Sequence, residues 1–188
     1  TLDARANEVI RAAASRVFLA TAISQNGSLD GLLVLLVQSR MLWQLAHVYY
    51  QRPGLRELAF LYANVAATAF VAAQLDDLDL SEQLQPMLSS LAGSAIGAIP
   101  GSTLLVSSMV GGAANAFLTL RVGLIARRYC GALILPEPRA LRRAAVAEAA
   151  GMLVGITQEG ARRVAQAFWR ASRNMAVDTA RGFGGSLK

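Results

Sequence analysis

Two residues in this chain could do chemistry as isolated side chains. His47 is the only histidine and Cys130 the only cysteine among the 188 residues. A structural metal site needs several closely spaced ligands, so His47 alone predicts packing or surface placement and no metal site. Cys130 follows Arg127 and Arg128, whose positive charges could lower the pKa of the thiol and activate it as a nucleophile. No base is recognisable beside it, so a structural thiol is the favoured interpretation.

Two short stretches have the composition of ligand-binding loops without the residues that bind. The acidic stretch at residues 76–82 loosely matches the spacing of a calcium loop, but it lacks the central Gly and the terminal Glu. The glycine-rich stretch at residues 93–102 has neither the Lys nor the preceding strand of a phosphate-binding loop. Paired carboxylates and a catalytic triad are also missing. We therefore predict no enzymatic activity and no cofactor.

The formal charge of +6 is distributed unevenly along the chain. Residues 1–120 hold six Arg and eight acidic residues, whereas residues 121–188 hold eleven Arg, one Lys and four acidic residues. A basic segment of this kind suits anionic lipid or an acidic protein. Nucleic acid is not expected, because the arginines lack interleaved aromatic residues and a known recognition motif. The single cysteine excludes an internal disulfide.

A long uncharged run precedes the basic segment: residues 83–120 contain no Asp, Glu, Lys or Arg. Pro100 and Gly101 predict a turn that separates two helices, residues 87–99 and 102–120. The first is too short to cross the ~30 Å hydrocarbon core of a bilayer, and the second is long enough but carries Ser, Thr and Asn side chains. We predict a helical hairpin buried among other helices, in or beside a membrane. Small residues at four-residue spacing predict close helix packing in it, namely Gly93, Gly97 and Gly101, then Gly112 and Ala116.

The fold is predicted to be all-α, because alternating β-branched or aromatic runs are nearly absent. We expect a multi-helix bundle that contains this hairpin and ends in a basic amphipathic helix. The predicted helices cover residues 2–24, 29–50, 55–75, 87–99, 102–130, 139–156 and 158–180. The first half of the second helix is apolar all round, so we expect it to be buried on several sides. Thr157 is expected to cap the last helix.

Two domains are predicted, a helical domain at residues 1–136 and a C-terminal basic helical extension at residues 137–188. In the extension, basic and apolar side chains fall on opposite faces at 100° per residue. Anionic lipid, an acidic protein and the chain's own bundle are all suitable neighbours for such a helix. The residues predicted to contact the membrane or a partner are Arg162, Arg163, Phe168, Trp169, Arg170 and Arg173.

Residues 28–54 and 115–136 carry a resemblance to a known family. The first segment has a helix entry with Asp30 and an aromatic-bearing helix with Trp43 that ends in two tyrosines; the second has a Leu-Thr-x-Arg-x-Gly motif with Arg121 and Gly123. These features resemble the YcjF-like family of bacterial inner-membrane proteins of unknown function, over about residues 5–136. The resemblance implies a helical domain attached to the cytoplasmic membrane. It also implies a GTPase partner, because related domains occur beside or fused to P-loop GTPase-like proteins.

The sequence therefore indicates where the protein is located and what it binds, but it indicates no catalysed reaction. We predict a membrane-associated helical scaffold or interaction domain, at the cytoplasmic face of, or within, the bacterial inner membrane. Its partners would be lipid and a protein, with the GTPase as the candidate that the resemblance implies, and a homo-oligomer stays open. The alternative is a soluble all-α subunit whose apolar surfaces are buried within a larger protein assembly.

Overall fold

The chain folds into packed α-helices, which confirms the predicted all-α class. The computed structural model describes residues 1–23, 27–50, 54–56, 58–66, 102–131 and 137–184, and no strand occurs among them. Helix α1 spans Leu2–Ile23, α2 spans Gly27–Tyr49, α3 covers helical residues 55–56 and 58–66, α4 spans Ser102–Gly131, and α5 spans Pro138–Gly184. The predicted helix at residues 87–99 lies outside the described residues.

Helices α1 and α4 form the centre of the bundle. Asn7 of α1 bonds Arg127 of α4, whereas Phe18 lies against Gly112, so the two helices run antiparallel. Apolar residues of α1 recur three or four positions apart and face this contact, as an amphipathic helix requires. The fully buried side chains include Ile10 and Phe18 of α1 and residues 120, 124 and 125 of α4.

The other two long helices pack on this central pair from different sides. Helix α2 contacts both α1 and α4, and α5 also contacts both. Within the described part of the chain, the backbones of α2 and α5 do not come close to each other. Two packed helices leave a groove on each side, so α2 and α5 occupy the two different grooves. The bundle therefore has an α2 side and an α5 side.

Helix α4 agrees with the sequence prediction and α5 does not. The second half of the uncharged run continues without a break into the arginine-bearing segment, as expected, and forms the 30-residue α4. The C-terminal segment was predicted as two helices separated at Thr157, but it is one helix of 47 residues. The Thr157 hydroxyl donates to the carbonyl oxygens of Leu153 and Val154, at 3.0 Å each. This back-bonding satisfies the hydroxyl inside the helix, so Thr157 does not act as a cap.

The first half of α2 also departs from its prediction. It was expected to be buried on several sides, but four leucines there, at positions 32, 33, 35 and 36, are exposed. Burial of α2 begins further along, where Met41, Leu42 and Leu45 enter the core. An all-round apolar helix is typical of burial in protein or in lipid. The sequence pattern could not distinguish the two, and the bundle does not cover these leucines.

Candidate functional site

The principal candidate surface is the side of α2 that points away from the bundle. Leu32, Leu36 and Trp43, together with Tyr50 just after the helix, recur at spacings of four and seven residues and therefore share one face. Their exposed fractions are 61%, 71%, 51% and 43%. We call these four residues the outer face of α2. The buried Met41 and Leu45 lie on the opposite face of the same helix.

Two helices of the described chain are long and apolar enough to cross a membrane, and the bundle treats them differently. The segments are Gly31–Tyr49 of α2 and Ser108–Gly131 of α4, judged by length and composition alone. Only 22% of the α2 segment is buried, compared with 67% of the α4 segment. Helix α4 is therefore the core helix of the bundle, and α2 is the apolar helix that the bundle leaves mostly exposed.

Polar side chains border the apolar residues on the outer face of α2. The His47 ring packs against the Trp43 ring with centroids 3.9 Å apart and planes tilted by 39°, and its Nδ1 lies 2.9 Å from the Trp43 carbonyl oxygen. Arg40 is exposed one turn before Trp43. Tryptophan and tyrosine favour the boundary between water and hydrocarbon, because each has an apolar ring and a polar group. Among the described residues, no group of three or more His, Cys, Asp or Glu side chains is placed to hold a metal ion.

An ionic cluster joins three helices at the end of the bundle where α1 and α5 begin. Arg127 of α4 donates from both terminal nitrogens to the two carboxylate oxygens of Glu148 in α5, at 2.9 Å each. The same guanidinium donates to the side-chain oxygen of Asn7 in α1. Arg128 approaches Glu148 at 3.4 Å. A bidentate pair of this geometry orients helices strongly, and its position between helices indicates a structural role.

Neutral polar side chains connect the helices further along. Asn115 of α4 donates to the hydroxyl of Thr21 in α1 at 3.3 Å, and Gln38 of α2 donates to the hydroxyl of Thr119 in α4 at 3.4 Å. The Tyr49 hydroxyl donates to a carboxylate oxygen of Asp3, which ties the end of α2 to the start of α1. Hydrogen bonds of this kind between helices are common where helices pack closely in apolar surroundings. The bonds of Gln38 and Tyr49 tie α2 to α4 and α1 on the side opposite its outer face.

Cys130 does not have the environment of a reactive thiol. The sequence suggested that Arg127 and Arg128 could lower its pKa, but burial instead raises the pKa of the Cys130 thiol to about 11. The guanidinium groups of Arg127 and Arg128 are both paired with Glu148. Desolvation then dominates and disfavours the thiolate. The structural interpretation of this cysteine is therefore the one that the geometry supports.

The predicted helix-packing and motif residues fall at several places in the fold. Gly112 and Ala116 are both buried, and a Cβ on Gly112 would lie 2.8 Å from the Phe18 carbonyl oxygen. A Cβ on Gly123 would meet Ile10 of α1 and Met41 of α2 within 3.0 Å, so three helices converge there. Arg121 is only 4% exposed. Gly93, Gly97 and Gly101 lie outside the described residues, as does the side chain of Asp30 in α2.

The predicted basic surface belongs to the second half of α5. Arg162, Arg163 and Arg170 are exposed, and Arg163 pairs with Glu159 one turn earlier. The helix backbone continues through Phe168, Trp169 and Arg173, whose side chains lie outside the described part of the chain. Because α2 and α5 pack on different sides of the bundle, the outer face of α2 and these arginines are not neighbours.

Sequence reasoning missed the outer face of α2 as a contact surface. Trp43 was noted only as a motif residue, and the leucines were assigned to the core. The available signal was the apolar character of the helix on all sides, which is as typical of lipid contact as of burial. The ionic cluster around Glu148 was also missed, because its members are separated by about 20 and 120 residues in sequence.

Comparison with known proteins relates this chain to a protein family. The sequence profile described as "Domain of unknown function (DUF697)" matches residues 1–149. A UPF0283 membrane protein of Bradyrhizobium diazoefficiens is 31% identical over 146 residues, covering 73% of this chain and 38% of that protein. A UPF0283 membrane protein of Rhizobium meliloti is 31% identical over 157 residues, covering 81% and 38%. The chain thus spans well under half the length of these relatives. No solved structure matches it.

These relatives support the expected kind of family, an uncharacterised bacterial family that includes membrane proteins. The narrower assignment to the YcjF-like family stays a prediction. Neither the family description nor the relatives' names carries an enzymatic activity. The boundary predicted at residue 136 also stays a prediction. The profile match ends at residue 149, inside α5 and next to Glu148. On the strength of a match that covers most of its length, the chain belongs to the DUF697 domain family.

Proposed function

We propose that this chain is a membrane-associated helical scaffold and that the outer face of α2 is its contact with lipid. The observation that carries the proposal is the exposure of Leu32, Leu36 and Trp43 on a helix apolar enough to enter a bilayer. Each leucine side chain removed from water contributes about 1–2 kcal/mol, so this surface is costly to leave in solvent. The relatives, which are named membrane proteins, support the same assignment.

The orientation follows from where the polar groups lie. The leucines occupy the first half of α2, whereas Trp43 and His47 occupy its second half and Tyr50 follows directly after it. Helix α2 would be tilted at the bilayer surface, with the leucines of its first half among acyl chains and the aromatic residues at its other end at headgroup level. The rest of the bundle would stay on the cytoplasmic side of the bacterial inner membrane. The excess of arginine after residue 120 supports that side.

The work done from this position would be to hold a protein partner at the membrane. The resemblance to YcjF-like proteins makes a GTPase-like protein the candidate. The described residues form a helical bundle that exposes the outer face of α2 on one side and the arginines of α5 on another. A scaffold is the function that requires only such a bundle and two surfaces.

The proposal is tested by flotation of the purified chain with liposomes, in the absence of detergent. The double variant Leu32→Ser/Leu36→Ser should weaken partitioning at least about tenfold, because two exposed leucines no longer enter the acyl region. Folding should persist, since neither side chain belongs to the core. The matched control is Leu2→Ser, which changes a leucine that is 51% exposed on α1.

Each outcome has a definite meaning. Flotation that survives high salt and is lost only in the α2 variant supports apolar contact through the outer face. Equal flotation of both variants would remove α2 from the membrane contact. A chain that never floats, yet becomes soluble on binding another protein through the same leucines, would establish the alternative of a subunit within a larger assembly.

A further inference from the structure

The α5 side of the bundle carries a second exposed surface with a different chemistry. Six exposed residues of α5 recur at spacings of three or four and share the side that points away from the core: Arg143, Ala147, Gly151, Gly155, Gln158 and Arg162. We call these residues the outward side of α5. The buried Ala149, Met152 and Ile156 lie on the opposite face of this helix.

This surface is basic at both ends and flat in the middle. Arg143 and Arg162 stand 19 residues apart, which is about 28 Å along a helix. Between them, a Cβ added to Gly151 or Gly155 would meet nothing within 4 Å, so no side chain of the bundle projects there. No acidic residue belongs to the outward side. Neighbouring Glu148 and Glu159 bond Arg127 and Arg163, respectively.

We infer that the outward side of α5 binds an acidic helix of a protein partner in the aqueous phase. Charge complementarity carries this inference: the two arginines suit carboxylates about 28 Å apart, and the small residues between them let a helix approach closely. The orientation rests on the proposed function. With α2 against the bilayer, α5 lies on the other side of the α1–α4 pair and is turned away from the same membrane.

A second copy of this chain is not expected to bind the outward side of α5. An antiparallel pairing of two α5 helices centred on Gly151 and Gly155 would place Arg143 of one copy against Arg162 of the other. A parallel pairing would place each arginine against its own counterpart. Like charges repel in both arrangements. The surface therefore favours a partner of opposite charge over self-association.

The experiment uses a labelled helical peptide with Glu residues near both ends and Ala in between, and measures its binding by fluorescence anisotropy. Arg143→Glu/Arg162→Glu should weaken binding at least about tenfold, since both complementary contacts become repulsive. The matched control is Arg5→Glu/Arg16→Glu, which makes the same change of charge at two exposed arginines of α1. Its effect should be at most about twofold, from the change in net charge.

A second variant tests the flat centre without altering charge. Gly151→Leu/Gly155→Leu should keep the helix intact, because leucine is a better helix former than glycine. The variant should reduce peptide binding, because the two leucine side chains would occupy the space in which the peptide helix packs. Equal loss of binding in the α5 and α1 charge variants, or no measurable binding of the peptide, would overturn the inference.

Liposome flotation of the same charge variants separates this inference from the proposed function. Arg143→Glu/Arg162→Glu should float as the unaltered chain does. If it instead loses flotation on anionic lipid, the outward side of α5 faces the bilayer and the inference fails. If Leu32→Ser/Leu36→Ser floats as well as the unaltered chain, the membrane contact through α2 fails, while the peptide result stands on its own.

Discussion

Gly112 of α4 packs directly against the backbone of Phe18 in α1: a Cβ at position 112 would lie 2.8 Å from the Phe18 carbonyl oxygen. A backbone atom inside a helix cannot move aside as a flexible side chain can. Gly112→Ala should therefore destabilise the bundle by about 1–3 kcal/mol, through forced separation of α1 and α4. Urea unfolding followed by circular dichroism measures this change.

The neighbouring glycine provides the control. At Gly111 the nearest atom to an added Cβ is the Thr21 methyl carbon, at 4.0 Å, an ordinary contact distance. Gly111→Ala should be neutral or stabilising by up to about 1 kcal/mol, because alanine loses less backbone entropy in a helix. Similar losses of stability in both variants would contradict the close contact at Gly112.

Glu148 should contribute more to stability than an equivalent exposed glutamate. Its carboxylate receives two hydrogen bonds from Arg127, whose side chain is only 13% exposed. Glu148→Gln removes the carboxylate charge that pairs with this guanidinium between α4 and α5. We expect the free energy of unfolding to fall by about 1–3 kcal/mol. Glu159→Gln removes the same charge from a pair whose side chains are 60% and 64% exposed, and should cost at most about 0.5 kcal/mol. Equal midpoints in urea would argue against a structural role for the ionic cluster.

Cys130 should react slowly with thiol reagents at neutral pH. Its pKa is raised to about 11 from an ordinary 9.0, so the thiolate fraction falls by roughly a hundredfold at a given pH below both values. The rate with a maleimide should continue to rise up to about pH 11. The reference is Cys130→Ala/Gln158→Cys, which moves the thiol to an exposed position on α5. Rapid labelling of Cys130 at pH 7 would restore the activated-thiol hypothesis.

Trp43 should report on contact between the outer face of α2 and lipid. The chain contains two tryptophans, so Trp169→Phe leaves Trp43 as the sole indole. Its ring is half exposed, and its emission should shift to shorter wavelength when liposomes replace the surrounding water with an apolar medium. Bromine-labelled acyl chains should quench it. Emission that is unchanged by liposomes which nevertheless co-float with the chain would place the contact elsewhere.

Much of the local structure could be predicted from the sequence, because it depends on neighbours within a few residues. Periodic apolar positions indicated α1, and the absence of proline between residues 101 and 135 was compatible with one continuous α4. The prediction of two C-terminal helices was wrong, since Thr157 was taken as a cap although its hydroxyl can also bond within the helix. Nothing local to position 157 distinguishes these two uses of a threonine.

The sequence by itself determined that this chain is helical, that its charge is concentrated after residue 120, and that two of its described segments are apolar enough for a membrane. Only the tertiary structure decided which of them is used inside the bundle. Helix α4 is enclosed because α1, α2 and α5 all pack on it, whereas the first half of α2 is left exposed. The same structure placed α2 and α5 on different sides of the central pair. Burial and relative placement depend on contacts between residues far apart in sequence, and a local pattern does not contain them.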